Sequence, residues 1–260
     1  MNRGFALSRI DGNDVSTVSV LLASYNGEKY IAQQLESILC QLGSEDEVII
    51  SDDGSTDGTL KIIEGFAAKD NRIRVVNGPR CGVVANFDHL LSLATGEVIF
   101  LSDQDDVWLD CKVERVLKEF ENQEVTLVLH DVEIVDRDLS PISSSFFEFR
   151  GSGAGFIRNL IKNSFMGSAM AFRKGIVSQV CPIPASVPMH DQWIGLICSL
   201  TGETKLISEP LGLYRRHGGN ASSFEHGSIP KMINNRLSLL WCVITRLVRA
   251  SVNNGRSSLR

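Results

Sequence analysis

Short apolar runs rich in β-branched residues alternate, over the first hundred positions, with stretches in which apolar residues recur every three or four places. Thr17 to Ala23 is the first run. After the turn Ser24-Tyr25-Asn26-Gly27, apolar residues at Ile31, Leu35, Ile38, Leu39 and Leu42 predict a helix over Glu28 to Gln41. The pattern then repeats. Glu47 to Ser51 predicts a second strand and Asp52-Asp53-Gly54-Ser55 a turn. Leu60, Ile63 and Phe66 mark a helix opened by Thr56-Asp57, with Thr56 placed to cap it. Ile73 to Val76 reads as a third strand, Val83 to Leu93 as a third helix and Val98 to Leu101 as a fourth strand. Fully apolar strands between helices predict an α/β fold whose mostly parallel central sheet is covered on both faces.

Beyond Leu101 the pattern loosens. Val125 to His130 is strand-like, and Ser140 to Gly155 is rich in Ser, Gly and Phe and reads as a long loop. Gly167 to Phe172 suggests another strand, Cys181 to Pro188 holds too many prolines for a helix, and His190 to Leu200 looks helical. Lys205 to Ser208 is a candidate last strand. The organisation expected is an N-terminal extension over 1–16 and one domain over 17–226, divided into halves at 108/109. A tail over 227–260 completes it.

Charge sets that tail apart. The whole chain carries −5, yet residues 227–260 hold one Lys, five Arg and no acid, so the tail is +6 and the remainder −11. Within it, Leu237 to Arg249 is apolar, contains Trp241 and is flanked by Arg236 and Arg249. Such a helix suits the surface of an anionic membrane, and equally suits packing onto its own domain or a second subunit. An acidic chain whose basic stretch lacks spaced aromatics argues against nucleic acid as a partner. No stretch reaches the roughly 20 apolar residues that cross a bilayer, and no leader is evident near Met1, so the expected location is cytoplasmic, peripheral to the membrane at most. Six cysteines without a paired spacing indicate neither a zinc site nor a disulfide framework.

In doubly wound sheets ligands bind beyond the carboxyl ends of the strands. Polar clusters follow three of the expected strands here: Ser24-Tyr25-Asn26, Asp52-Asp53 and Asp103-Gln104-Asp105. On extended backbone, Asp103 and Asp105 point to the same side. Two such carboxylates at a strand end suit Mg²⁺ or Mn²⁺ held together with substrate phosphates. The competing role is capping a helix expected near Val107. The loop Ser24-Tyr25-Asn26-Gly27 is not a G-x-G-x-x-G turn, and no G-x-x-x-x-G-K-[ST] occurs, which excludes the common dinucleotide and P-loop sites.

Five segments in order, Ala23 to Gly27, Ser51 to Asp57, Ser102 to Trp108, His190-Asp191-Gln192-Trp193 and Tyr214 to Asn220, resemble family 2 glycosyltransferases of the GT-A (Rossmann-like) fold. Within them the chain looks most like bacterial rhamnosyltransferases. The resemblance implies metal-dependent, inverting transfer of a sugar from a nucleoside diphosphate donor to a hydroxyl, and dTDP-rhamnose as donor with a lipid-linked or polysaccharide glycan as acceptor. It places Asp103, Asp105 and His217 at the metal, and Ser24, Tyr25, Asn26, Asp52, Asp53, Arg80, Asp103 and Gln104 at the donor. Asp191 matches the general base, although Gln192 departs from the commoner His-Asp-Trp-Trp form and Asp191 would also suit the first turn of a helix. Trp108 and Trp193 are aromatic either for stacking on a ligand or for the core. A UDP-hexose donor, or a binding module without turnover, are the alternatives. The presence of Asp103, Asp105 and Asp191 together speaks for the enzyme.

Overall fold

A computed structural model describes residues 16–218 and 229–257. The expected N-terminal extension lies outside these residues except for Ser16, as do Gly219 and Asn220 of the late motif. The first half is built as the periodicity predicts: strands β1 (Val18–Ser24), β2 (Glu47–Asp52), β3 (Ile73–Asn77) and β4 (Val98–Asp103) alternate with helices α1 (Ile31–Leu39), α2 (Thr59–Ala67) and α3 (Val83–Leu93). All four strands are parallel, with β1 between β2 and β4, so the strand order reverses at the β1/β4 junction. Register does the positioning. Ser24 lies opposite Asp52, and Ala23 opposite Asp103, which brings the three polar clusters to one rim.

The second half completes a mixed sheet. After β5 (Val107–Trp108) and α4 (Lys112–Glu119) come the long β6 (Val125–Asp136), β7 (Pro141–Ser143), α5 (Phe146–Arg150), α6 (Phe156–Ile161), β8 (Met170–Arg173), α7 (Val177–Val180), α8 (His190–Thr201), β9 (Glu203–Arg216) and α9 (Ile229–Ser257). The order across the sheet is β3-β2-β1-β4-β8-β6-β9-β5, with β7 on β6. Strand β8 runs antiparallel to both β4 and β6. The fold is therefore α/β, its sheet mostly parallel and flanked by helices, as expected.

Four local expectations change. No helix begins near Val107: Val107–Trp108 pairs with Leu213 and Gly212 of β9, and the helix waits until Lys112. Thr56 caps nothing; its N–H donates to Asn26 Oδ1, and α2 starts after Gly58 without a side-chain cap. The Ser140 to Gly155 stretch is not a bare loop but contains β7 and α5, the latter capped by Ser145, whose hydroxyl accepts from Glu148 N–H at 3.0 Å. Gly167–Ala169 is a 3₁₀ turn leading into β8 rather than part of the strand.

Two apolar layers sandwich the sheet. One joins Phe87 and Leu90 of α3 to Trp193, Ile194 and Ile197 of α8; the other joins Ile31, Leu35 and Ile38 of α1 to Ile63 of α2, Val113 and Val116 of α4. Trp193 is fully buried, its indole N–H donating to Val180 O at 3.0 Å, and Trp108 packs on Phe100 with ring centroids 5.5 Å apart. Both tryptophans are core residues. Leu239, Cys242 and Val243 of α9 belong to the first layer, so the tail helix rests on its own domain, while Leu237, Trp241 and Val248 face outward, Trp241 68% exposed. No described helix is long and apolar enough to cross a membrane.

Candidate active site

A cavity of about 800 Å³ opens at the carboxyl ends of β1, β2 and β4. That is within the range of small-molecule sites. One side is formed by Tyr25, Asp53, Arg80 and the start of α3, the floor by Asp103, Gln104 and Asp105, and the far side by Arg150, Phe165, Met166, Asp191 and Tyr214. Of the residues expected at the donor and the metal, Ser24, Tyr25, Asp53, Arg80, Asp103, Gln104 and Asp105 line this cavity, as does Asp191, the expected base.

Asn26, Asp52 and His217 stand behind that wall. Asn26, at φ 50°, ties its loop to the next one by donating to Ser55 Oγ and accepting from Thr56 N–H. Asp52 is buried and accepts from Ser24 Oγ, Ser55 N–H, Ser55 Oγ and Gly54 N–H, so its carboxylate holds the turn together. Asp53 does the same for the next loop while remaining at the cavity, taking the Arg80 and Gly82 N–H groups at 2.6 and 2.9 Å. These bonds fix Arg80 at φ 57°, with its guanidinium over Gly54. Gln104 clamps the first loop from below: its amide accepts from Tyr25 N–H at 2.9 Å and donates to Tyr25 O at 2.8 Å. A Cβ at Gly27 would push the Gln104 amide out of this clamp. Tyr25 is left 56% exposed, its ring presented at the rim on a fixed backbone.

Acid is concentrated on the floor. Burial, then Asp106, Asp105 and Asp191 in that order, hold the Asp103 carboxyl well above its usual range, with Lys112 opposing. Asp106, pushed up to about 7 by burial and by Asp105, accepts the Arg215 N–H at 3.0 Å. Asp105 Oδ2 meets His217 Nε2 at 2.8 Å, and the His217 ring stacks on Tyr30 with centroids 4.8 Å apart. Arg215 is buried and donates to Asp105 O and to Gln33 Oε1, which locks the end of β9 against the floor. Carboxylates that raise one another in this way favour a divalent cation between them. Asp103, Asp105 and His217 are the residue types that take part in Mg²⁺ or Mn²⁺ sites, with His217 bonded to Asp105 at the edge of the floor. Among the described residues no group of three or more His, Cys, Asp or Glu side chains is placed to hold a metal ion, so an ion here would depend on phosphate oxygens and water for most of its ligands.

Asp191 opens α8 in its first turn and faces the cavity. Burial pushes it up to about 6, against hydrogen bonds from the backbone N–H of Gln192 and of Gly167. A carboxylate titrating near neutrality is suited to accept a proton from a hydroxyl.

Sequence reasoning passed over several residues of this site. Asp106 lay in plain view beside Asp105. Lys112 gave no signal, because only the fold buries it between Trp108, with Nζ 4.1 Å from the ring centroid, and Ser168 O, to which it donates at 2.9 Å. Phe146, Arg150, Asn163 and Met166 come to the cavity from α5 and the segment after α6, where irregular structure leaves no periodic trace.

The family model described as glycosyl transferase family 2 matches residues 19–181. The chain belongs to that family. As a family 2 member it is 27% identical over 211 residues to an uncharacterised glycosyltransferase of Nostoc sp., covering 78% of this chain and 66% of that protein. It is 33% identical over 113 residues to the glycosyltransferase GlyG of Streptococcus pneumoniae, covering 43% and 38%. The chain spans about two thirds or less of the first curated relatives it matches. Its fold is that of S. aureus TarS residues 1–349 in complex with UDP-GlcNAc, with TM-score 0.67, 19% identity and coverage of 89% of this chain and 66% of that one. A mannosyltransferase from Pyrobaculum calidifontis in complex with GDP-Man and Mn²⁺ gives TM-score 0.58 at 18% identity, covering 92% and 75%.

Proposed function

We propose that this family 2 chain transfers a sugar, with inversion, from a nucleoside diphosphate donor to a hydroxyl of a glycan acceptor. The observation that carries the reading is a single cavity lined by the clamped Tyr25 loop, the Asp103–Asp105 floor and Asp191. Arg80 and the Tyr25 ring border the nucleotide side. A divalent cation held by Asp103, Asp105 and His217 would stabilise the charge that builds on the departing diphosphate. Asp191, across the cavity, takes the proton from the acceptor oxygen as it attacks the anomeric carbon from the face opposite the leaving group. Phe146, Met166 and Tyr214 give the acceptor side an apolar and aromatic wall, as a sugar face requires.

The resemblance to rhamnosyltransferases makes dTDP-rhamnose the donor we propose, in assembly of a cell-surface glycan, with a UDP-hexose as the second reading; the solved relatives with UDP-GlcNAc and GDP-Man keep that second reading open. For a lipid-linked acceptor, the outward face of α9 supports peripheral contact with an anionic membrane. Ile233, Leu237, Trp241, Ile244 and Val248 form one exposed stripe on a helix segment without acids, and Ile157 and Ile161 of the adjoining α6 are exposed beside it. The test is a panel of nucleotide sugars with Mg²⁺ or Mn²⁺, read as slow donor hydrolysis. Hydrolysis of dTDP-rhamnose above all others supports the full reading, hydrolysis of a UDP-sugar the second, and none at all would leave a binding module.

A further inference from the structure

His190 is the one cavity-lining side chain among the described residues whose buried ring nitrogens both have no protein partner. It is 3% exposed, and its ring is held by stacking on Phe87 of α3, centroids 4.0 Å apart. Burial pushes it down to about 3, so the imidazole is neutral and offers one donor and one acceptor. Buried polar groups are nearly always paired, and an unpaired one calls for an explanation. Packing alone does not supply it, since a phenyl ring would stack on Phe87 equally well.

The surroundings show where a partner would come from. Gly167 also lines the cavity, and a Cβ at that position would lie 3.1 Å from His190 Nε2, with the Asp191 Cβ and His190 Cε1 next, each at 3.8 Å. The missing side chain therefore keeps a gap between Nε2 and the cavity beside Asp191. The ring stacks on Phe87 of α3, and Val83 and Asn86 of the same helix, with Gly82 just ahead of it, line the cavity beside the Tyr25 loop. Sugar hydroxyls both donate and accept, which matches what a neutral imidazole offers.

We propose that His190 binds a hydroxyl of the donor's transferred sugar through the gap left by Gly167, and so sets which sugar the site accepts. The inference deepens the glycosyltransferase reading and rests on it. His190→Phe keeps the stack on Phe87 and removes both nitrogens, and Gly167→Ala closes the gap while leaving its N–H to Asp191 in place. Binding of dTDP, UDP, dTDP-rhamnose, UDP-glucose, UDP-GlcNAc and GDP-mannose is measured for the wild type and both variants with Mn²⁺ present. The expected result is unchanged affinity for the bare diphosphates and a ten- to hundredfold loss, on the order of one buried hydrogen bond, for the preferred nucleotide sugar. His190→Gln, which also donates and accepts, restores part of it.

A wild-type sugar preference that survives His190→Phe, or an equal loss for bare diphosphate and nucleotide sugar, overturns the assignment alone. A wild type that binds no nucleotide sugar better than its diphosphate overturns the donor reading itself. Should the variants fail to fold, ¹⁵N-histidine spectra of the wild type decide. The ring nitrogens of the buried neutral histidine stacked on Phe87 shift with the nucleotide sugar and not with the diphosphate, and a response to both alike defeats the proposal.

Discussion

Lys112 Nζ donates to Ser168 O at 2.9 Å, joining α4 to the 3₁₀ turn whose Gly167 N–H bonds the Asp191 carboxylate. A buried ammonium thereby sits within reach of Asp103 and Asp106 while bracing the turn that holds the proposed base. Burial pushes this lysine down to about 7, and the attraction of Asp106 and Asp103 opposes that shift.

Lys112→Met leaves buried acids uncompensated, which costs about 3 kcal/mol or more at neutral pH. Asp106 is already raised and rises further without the cation, so it becomes neutral as pH falls and the deficit shrinks. Thermal melting at pH 8 and pH 6 is expected to show the larger drop at pH 8. Equal drops would mean that the lysine contributes packing alone.

Asp191, pushed up to about 6, must be ionised to accept a proton. Turnover is expected to rise with pH through an apparent pKa near 6 and to level off above it. Asp191→Asn is expected to lower turnover by at least about a hundredfold while donor binding stays within twofold. A variant retaining most of its turnover assigns the base elsewhere.

The proposed metal face separates from the proposed base. Asp105→Asn removes both a proposed ligand and the partner of His217, and His217→Ala a weaker contribution. Titration with Mn²⁺ and a nucleoside diphosphate is expected to show a large loss for the first variant and about a tenfold loss for the second. Identical Mn²⁺ affinity in all three proteins would remove both residues from the metal site.

Gly27→Ala forces the Gln104 amide away from Tyr25, and Gln104→Ala deletes the clamp outright. Both are expected to raise the donor KM about tenfold at nearly constant kcat, since they loosen a binding loop without touching the base. A fall in kcat at unchanged KM would place the loop in the chemical step instead.

On α9, Trp241→Glu and Leu237→Glu alter exposed side chains that the core does not use. Co-sedimentation with vesicles containing anionic phospholipid is expected to fall at least tenfold, with melting temperature held within a degree or two. If wild type and variants sediment alike, that stripe faces something other than lipid.

The first half was legible because each element there announces itself. Buried parallel strands are continuously apolar, and Val83–Leu93 begins and ends where its stripe does. The acids of Asp103-Gln104-Asp105 were visible as a motif, and parallel register turned three separate clusters into one rim. What stayed hidden depends on distant contacts. Thr56 looked like a cap because its residue type caps helices, yet Asn26, 30 positions away, claims its N–H. Asp52 resembled a ligand contact until the turn around it consumed its oxygens. His190 and Lys112 owe their significance to burial beside residues far away in the chain, which no local pattern encodes. The tail showed its apolar content but not which side the domain covers, and two of its arginines, Arg236 and Arg246, donate to main-chain carbonyls of Ile161 and of Gln179, Cys181 and Pro182, in line with the self-packing alternative.

Those last bonds carry a mechanical consequence. Arg246 also sits 5.4 Å from the centre of the Trp193 ring, so one guanidinium staples the final helix both to the proline-bearing segment ahead of α8 and to α8 itself. Whatever α9 leans on therefore pulls directly on the stem from which Asp191 projects. Trimming the helix would strip a brace from the shoulder that bears the proposed base and would not merely cut a tether.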